Sequence, residues 1–179
     1  MDTHEESVEQ TITTIVDRAR EAQAIFEQYD QQQVDDLVAA AAWAIYRTDR
    51  ATALAELAVR DTGLGNVEDK IVKNQRKTMG TLRDLTGAKS VGVIHEDPAT
   101  GITEYAKPVG VVAAVCPSTN PAATPLNKTI MALKGRNAMI LSPSPKGEST
   151  CKLLVEYLHE ELDKVGAPRD LVQFVKSPS

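Results

Sequence analysis

Apolar side chains recur every three or four residues in the first half of the chain, the spacing that places one apolar stripe on an α-helix. The longest stripe, within residues 5–29, consists of Val8, Ile12, Ile15, Val16, Ala19, Ala22 and Phe26. Residues 34–45 repeat the pattern, and two further stretches follow it up to residue 87. The first half of the chain is therefore predicted to be helical.

Capping residues mark where the third and fourth helices begin and end. The third is expected to use Thr48 or Asp49 as its N-cap and to stop near Gly63, since short polar side chains favour helix starts and glycine favours helix ends. By the same rules the fourth helix is expected to be capped by Asn66 and to end at Gly87.

The hydrophobic pattern changes after residue 88. Residues 90–95 and 102–107 are short segments rich in Val, Ile, Thr and Tyr. The six residues between them include Pro98 and Gly101, which favour a turn. Two β-type segments joined in this way predict an antiparallel hairpin.

Beyond Pro108 the apolar residues come in unbroken runs. Residues 110–116 contain only Gly, Val and Ala before a final Cys, as expected of a strand that is buried on both faces of a parallel sheet. Residues 138–141 and 171–175 predict two more strands. Helical patterns separate the three strands, at residues 124–135 and 147–166.

This order of strands and helices fixes the predicted fold class. Strand, helix, strand, helix, strand with short connections predicts right-handed crossovers and a three-stranded parallel sheet. The fold is therefore predicted to be α/β, with N-terminal helices in residues 1–88, a hairpin arm in 89–108 and half of a doubly wound, Rossmann-like sheet in 109–179. Because a dinucleotide lies across two such halves, the chain is expected to supply one side of the crevice only.

Composition and charge exclude several classes of protein. The chain has 179 residues, of which 42% are hydrophobic and 25% charged, so it can bury a real core. A formal net charge of −5 gives no basic surface for nucleic acid. No apolar run approaches the roughly 20 residues of a membrane span. An acidic N-terminus and two widely spaced cysteines predict the cytoplasm as the location.

Polar loops follow the first two predicted strands, at the edge where parallel sheets bind ligands. These loops consist of Pro117, Ser118, Thr119, Asn120 and Pro121, and of Ser142, Pro143, Ser144, Pro145 and Lys146. A helix predicted to begin at Thr124, with Pro125 in its first position, would direct the positive end of its dipole to this edge. The same residue types also form ordinary turns, so the spacing leaves a purely structural role open.

Three segments resemble the aldehyde dehydrogenase superfamily, and specifically its coenzyme-A-acylating branch. They are DTGLGNVEDKIVKN at residues 61–74, KPVGVVAAVCPSTNP at 107–121 and LKGRNAMILSPSP at 133–145. The similarity extends from about residue 8 to residue 179 and covers only the N-terminal part of the family's catalytic chain. It implies the family's reaction, in which a cysteine thiolate attacks a small aldehyde, a hydride passes to NAD or NADP, and the acyl group of the resulting thioester is transferred to coenzyme A, which releases the cysteine.

The resemblance also implies roles for the two loops. Asn120 is similar to the family's oxyanion-donating Asn, although an ungapped comparison with non-acylating members places Thr119 there. The implied cofactor-binding residues are Pro117, Ser118, Thr119, Ser142, Pro143, Ser144 and Pro145. The family's catalytic cysteine lies beyond the matched region, so these 179 residues alone are expected to be inactive. The hairpin resembles the family's oligomerisation arm and implies a homo-oligomer.

Other chemically capable residues favour structural roles. Cys116 and Cys151 are expected to be buried apolar filler, although Cys151 could lie close enough to a helix N-terminus to be activated. Lys134 and Arg136 are expected to complement a helix dipole. A charged cluster is expected to form a solvated helix face, and its members are Glu68, Asp69, Lys70 and Lys73.

Two further hypotheses remain open from the sequence. The chain could be a complete, non-catalytic module that binds a nucleotide or a partner through its hairpin and sheet edge. It could also be a self-contained thiol enzyme that uses Cys116. The histidines His4, His95 and His159 have no ligand spacing, so no metal site is predicted.

Overall fold

The computed structural model describes residues 7–176, which form six α-helices, a β-hairpin and a parallel sheet. The elements are α1 (Val8–Phe26), α2 (Gln31–Tyr46), α3 (Thr48–Thr62), α4 (Val67–Leu85), β1 (Gly92–Asp97), β2 (Ile102–Ala106), β3 (Val111–Cys116), α5 (Ala123–Lys134), β4 (Ala138–Pro143), α6 (Glu148–Lys164) and β5 (Val172–Phe174). Strands β1 and β2 pair antiparallel, and the second sheet has the parallel order β3-β4-β5. The predicted α/β class is confirmed.

The parallel sheet carries helices on both faces. Helix α1 packs on one face, α5 and α6 pack on the other, and α2 lies against the outer side of α5 and α6. One continuous core joins these layers, and its largest fully buried side chains are Phe26, Leu37, Ile45, Leu54, Leu126, Ile130, Leu133, Met139, Leu141, Leu154, Leu158 and Leu162. Among the helices of residues 7–176, none combines the length and apolarity that crossing a bilayer requires.

The predicted ends of α3 and α4 are largely confirmed. The Asn66 side chain accepts a hydrogen bond from the Asp69 backbone N–H at 2.8 Å and so caps α4. Gly63 ends α3 in the left-handed conformation, with φ 67°. The predicted N-cap of α3 is wrong, because the helix begins at Thr48 itself. Arg47 precedes it without a capping hydrogen bond.

Loss of the α4 cap is expected to have a measurable cost. The substitution Asn66→Ala removes the acceptor for a first-turn N–H and is expected to lower the free energy of unfolding by about 1 kcal/mol. Urea titration of the chain measures this change. Asn66→Ser keeps a capping oxygen without placing a second carboxylate beside Asp69, and serves as the control. An equal loss in both variants would show that the cap contributes nothing.

Strand β3 differs from its prediction. It was expected to be buried on both faces, but it lies at the edge of the sheet, and Val115 is 82% exposed while Ala114 and Cys116 are buried. Ala113 is exposed on the same side as Val115. Within residues 7–176 these two side chains are left uncovered, which gives a small apolar surface beside the carboxyl edge of the sheet.

Lys134 and Arg136 also differ from their prediction as partners of a helix dipole. Both side chains are buried. The Lys134 ammonium group forms an ion pair with Asp35 of α2. The Arg136 guanidinium group donates hydrogen bonds to the backbone oxygens of Glu27, at 2.8 Å, and Ala106, at 3.1 Å. These contacts tie the end of α5 to the first helices and to the hairpin.

Candidate functional site

The loops after β3 and β4 lie side by side at the carboxyl edge of the sheet. The parallel register aligns Cys116 with Pro143, and the Ser144 N–H donates a hydrogen bond to the Cys116 carbonyl at 3.0 Å. The loops then pack closely, since a Cβ atom on Gly147 would lie only 2.9 Å from the Cβ of Pro121. The structure therefore brings the two predicted polar segments together as one surface.

The first loop presents its polar groups at this edge. Pro117 and Thr119 are exposed, and Ser118 and Asn120 are half-buried. The following helix begins at Ala123 rather than Thr124, so Pro125 occupies the third helical position instead of the first. No side chain caps α5. The Thr124 N–H instead donates to the Asn120 carbonyl at 3.3 Å, which holds the loop against the first turn.

Two lysines of α4 reach this loop. The Lys70 Nζ atom donates a hydrogen bond to the Thr119 carbonyl at 3.1 Å, and the Lys73 Nζ atom donates to Asn120 Oδ1 at 2.9 Å. The prediction of a solvated helix face holds for Lys73, which is exposed, and only in part for half-buried Lys70, but it missed the contact of both lysines with the loop. Their three-residue spacing places them on one face of the helix. The packing of α4 against α5 then brings that face to the loop.

The contact with Lys73 fixes the orientation of the Asn120 amide. Because an ammonium group can only donate, the Asn120 atom that faces it must be the oxygen. The amide nitrogen makes one long contact within residues 7–176, donating to Thr119 Oγ1 at 3.4 Å. Its donor capacity is therefore largely unused. A neutral amide placed in this way can donate to a developing oxyanion without changing its own protonation.

The second loop has fewer defined contacts. Pro143 is buried, Ser142 and Ser144 are half-buried, and Pro145 is exposed. The Ser144 hydroxyl oxygen is buried without a hydrogen-bond partner in the described part of the chain. A buried hydroxyl group with no partner is unusual and marks a place where a ligand could supply one. The cofactor-binding role of this loop stays a prediction.

Comparisons with known proteins identify the family. The model of the aldehyde dehydrogenase family matches residues 1–179. The chain belongs to the aldehyde dehydrogenase family. It is 59% identical, over 94% of its length, to the acylating sulfoacetaldehyde dehydrogenase of Cupriavidus necator. It is 40% identical, over 97% of its length, to the acetylating succinate-semialdehyde dehydrogenase of Clostridium kluyveri.

Solved structures agree with the sequence comparison. An acetylating aldehyde dehydrogenase from Geobacillus thermoglucosidasius matches 95% of this chain with a TM-score of 0.90 and 35% sequence identity. The chain covers 37% of that structure, and 34% and 38% of the two curated relatives. The chain thus spans about a third of the length of each of these relatives. The predicted similarity to acylating members of the family is confirmed.

Neither cysteine of this aldehyde dehydrogenase chain has the environment of a nucleophile. Both thiols are free and buried. Burial raises the pKa of Cys116, and the charge of Lys128 opposes that shift only in part. Burial, aided by Cys116 and Glu148, raises the pKa of Cys151 to about 12. The expectation that Cys151 is buried filler is therefore confirmed, its alternative activation by a helix N-terminus is wrong, and both thiols stay protonated at neutral pH.

Neither His95 nor His159 is among the residues of this edge. The His159 Nε2 atom lies 2.8 Å from the Val172 carbonyl, and His95 lies on the hairpin. His4 lies outside the described residues. Within residues 7–176 no group of three or more His, Cys, Asp or Glu side chains could hold a metal ion.

Proposed function

We propose that this chain is the N-terminal portion of an enzyme that converts a small aldehyde, coenzyme A and NAD or NADP to acyl-coenzyme A and the reduced nicotinamide, reversibly. The observation that carries the proposal is the Asn120 amide, whose oxygen is held by Lys73 and whose nitrogen has donor capacity left. The relatives support the acylating reaction, since one is named an acylating sulfoacetaldehyde dehydrogenase and another an acetylating succinate-semialdehyde dehydrogenase.

Asn120 is the proposed oxyanion donor. When a thiolate adds to an aldehyde carbonyl, negative charge develops on the carbonyl oxygen, and a donor that is already oriented stabilises that charge without reorganisation. The Asn120 nitrogen meets this requirement, because Lys73 prevents the amide from presenting its oxygen instead. Thr119, whose hydroxyl lies next to the amide, is the alternative donor.

The nicotinamide cofactor supplies the hydride acceptor when it is bound. Residues 117–119 and 142–145 would hold one side of it, because they lie at the carboxyl ends of two neighbouring parallel strands. The partnerless Ser144 hydroxyl fits such a role. The nucleophilic thiol is proposed to lie outside this chain, since burial keeps Cys116 and Cys151 protonated.

The hairpin is the proposed oligomerisation arm of a cytoplasmic homo-oligomer. It projects three large apolar side chains into solvent, and these are Ile94, Ile102 and Tyr105. A two-stranded ribbon is marginal by itself and gains stability from a partner surface. A second copy of the protein would provide that surface.

A non-catalytic binding module is the second candidate function. The exposed Val115 side of β3 favours it, because an apolar sheet edge invites a partner chain. This candidate and the enzyme differ in one simple respect, since only the enzyme turns over an aldehyde.

The two functions are separated by an assay of the full-length protein that contains this chain. Sulfoacetaldehyde, succinate semialdehyde or propionaldehyde is supplied with NAD or NADP, with and without coenzyme A. In the steady state we expect reduced nicotinamide and acyl-coenzyme A to form together. They should form only when the aldehyde, the nicotinamide cofactor and coenzyme A are all present. Oxidation to the free acid at the same rate without coenzyme A would contradict the acylating reaction. No reduction with any aldehyde would favour the binding module.

A further inference from the structure

We propose that Lys70 and Lys73 select aldehydes that carry a permanent negative charge, such as a sulfonate or carboxylate, on the end away from the carbonyl. This inference rests on the proposed function and names its substrate class. It assigns a specificity role to two side chains of α4, in a segment that was predicted from the sequence to be a solvated helix face.

Both ammonium groups lie beside the proposed oxyanion donor. Lys73 contacts the Asn120 amide directly, and Lys70 contacts the carbonyl of the preceding residue. Since the oxygen and nitrogen of an amide are about 2.2 Å apart, the Lys73 Nζ atom lies within roughly 5 Å of the donating nitrogen. An aldehyde of two to four carbons has a comparable separation between its carbonyl oxygen and its far end. A substrate held by Asn120 is therefore long enough to reach the lysines with that end.

Within residues 7–176 neither lysine forms an ion pair with a carboxylate, and both donate to neutral oxygens. Asp69 lines the same pocket as Lys73, one helical turn away, but its carboxylate accepts a hydrogen bond from Asn66. Residues 70–77 contain four basic side chains and no acidic one. An anionic ligand would supply the missing countercharge.

The environment of Lys70 shows the same lack of a countercharge. Burial, with a smaller contribution from the neighbouring charge of Lys73, lowers the pKa of Lys70. No carboxylate opposes the shift. The charge of exposed Lys73 repels that of half-buried Lys70, and a bound anion would relieve the repulsion.

The position of Lys70 is also defined by a glycine. The side chain passes over Gly65, where a Cβ atom would lie 3.6 Å from Lys70 Cε and 3.8 Å from Nζ. Gly65 has φ +73°, a conformation that other residues adopt only with strain. The Lys70 stem therefore lies between this turn and the Thr119 carbonyl, so its charge is held near the site rather than free in solvent.

The alternative explanation is that the lysines only orient the loop. Loss of an orienting contact would impair every aldehyde to the same extent, because Asn120 acts on the carbonyl that all of them share. Loss of a charge partner would impair only the anionic aldehyde. The ratio of the two specificity constants therefore distinguishes the explanations.

The test compares sulfoacetaldehyde with propionaldehyde, a neutral aldehyde of similar size, in the full-length protein. The variants are Lys70→Met, Lys73→Met and Lys73→Arg, with Lys152→Met as the matched control, because Lys152 is an exposed lysine of α6. The wild type is expected to prefer sulfoacetaldehyde in kcat/KM. Each methionine variant is expected to lower this preference about 10- to 100-fold, mainly through KM, as loss of a charged hydrogen-bond partner does. Lys73→Arg should restore most of it, and Lys152→Met should leave it unchanged.

Three results would overturn the proposal. The first is a wild type with a higher kcat/KM for propionaldehyde than for sulfoacetaldehyde. This result does not depend on whether any variant folds. The second is an equal loss for both aldehydes in the methionine variants, which would make the lysines positioning residues only. The third is an unchanged preference in both variants. Failure of the proposed function would be seen separately, as a wild type that forms no acyl-coenzyme A from either aldehyde.

Discussion

Replacing Asn120 with alanine is expected to lower kcat of the full-length protein by about 10²- to 10³-fold, the usual effect of removing one oxyanion donor. The substitution deletes the amide nitrogen, whose donor capacity is largely unused, and adds no bulk to the half-buried loop. Because the donor acts mainly in the transition state, KM should change far less than kcat. Steady-state kinetics with one aldehyde measures both constants.

Two further substitutions make this test specific. Asn120→Asp keeps an oxygen acceptor for Lys73 but removes the donor, so it should be about as inactive as the alanine variant. Thr119→Val removes the alternative donor and should retain most of the activity. An active Asn120→Ala variant beside an inactive Thr119→Val variant would transfer the oxyanion role to Thr119.

The largest expected effect on stability comes from Arg50. Its side chain is 5% exposed and joins α3 to α6, donating to Glu161 at 2.6 Å and to Glu160 at 2.5 Å. It also lies over the Tyr157 ring, 4.7 Å from the centroid. Arg50→Ala would leave the buried Glu161 with Lys164 as its remaining partner among the described residues. Breaking a buried ion pair in this way is expected to cost about 3–5 kcal/mol.

An exposed ion pair of the same chain provides the control. Arg83 pairs with Asp84 at 3.0 Å, and both side chains are largely in solvent. Arg83→Ala is therefore expected to cost less than about 1 kcal/mol. Urea unfolding of the two variants compares these losses directly. Equal costs would show that the buried network is no more important to stability than a surface pair.

Most of the fold could be predicted because its signals are local. Helical periodicity, the cap at Asn66 and the glycine at the end of α3 each depend on a few neighbouring residues, and all three agree with the structure. The exposed side of β3 was missed for a physical reason. A strand made only of apolar residues looks the same whether one face or both faces are covered, so nothing near Val115 indicates the missing layer.

Of the candidate site, only the part that the topology of the sheet defines could be predicted from the sequence. The rule that ligands bind at the carboxyl ends of parallel strands identified both loops. It could not identify Lys70 and Lys73, because each contacts a residue more than forty positions away. The buried partners of Lys134 and Arg136 are equally remote in sequence. No local pattern distinguishes such lysines and arginines from those of a solvated surface.

Our central claim is that this chain supplies the oxyanion donor and one side of the cofactor site, while the reactive thiol lies elsewhere in the protein. Trapping the acylated enzyme tests this claim most directly. The full-length protein is incubated with propionaldehyde and NAD in the absence of coenzyme A, quenched in acid, digested and analysed by mass spectrometry. We predict a propionyl group on a cysteine outside residues 1–179. A propionyl group on Cys116 or Cys151 would contradict the account.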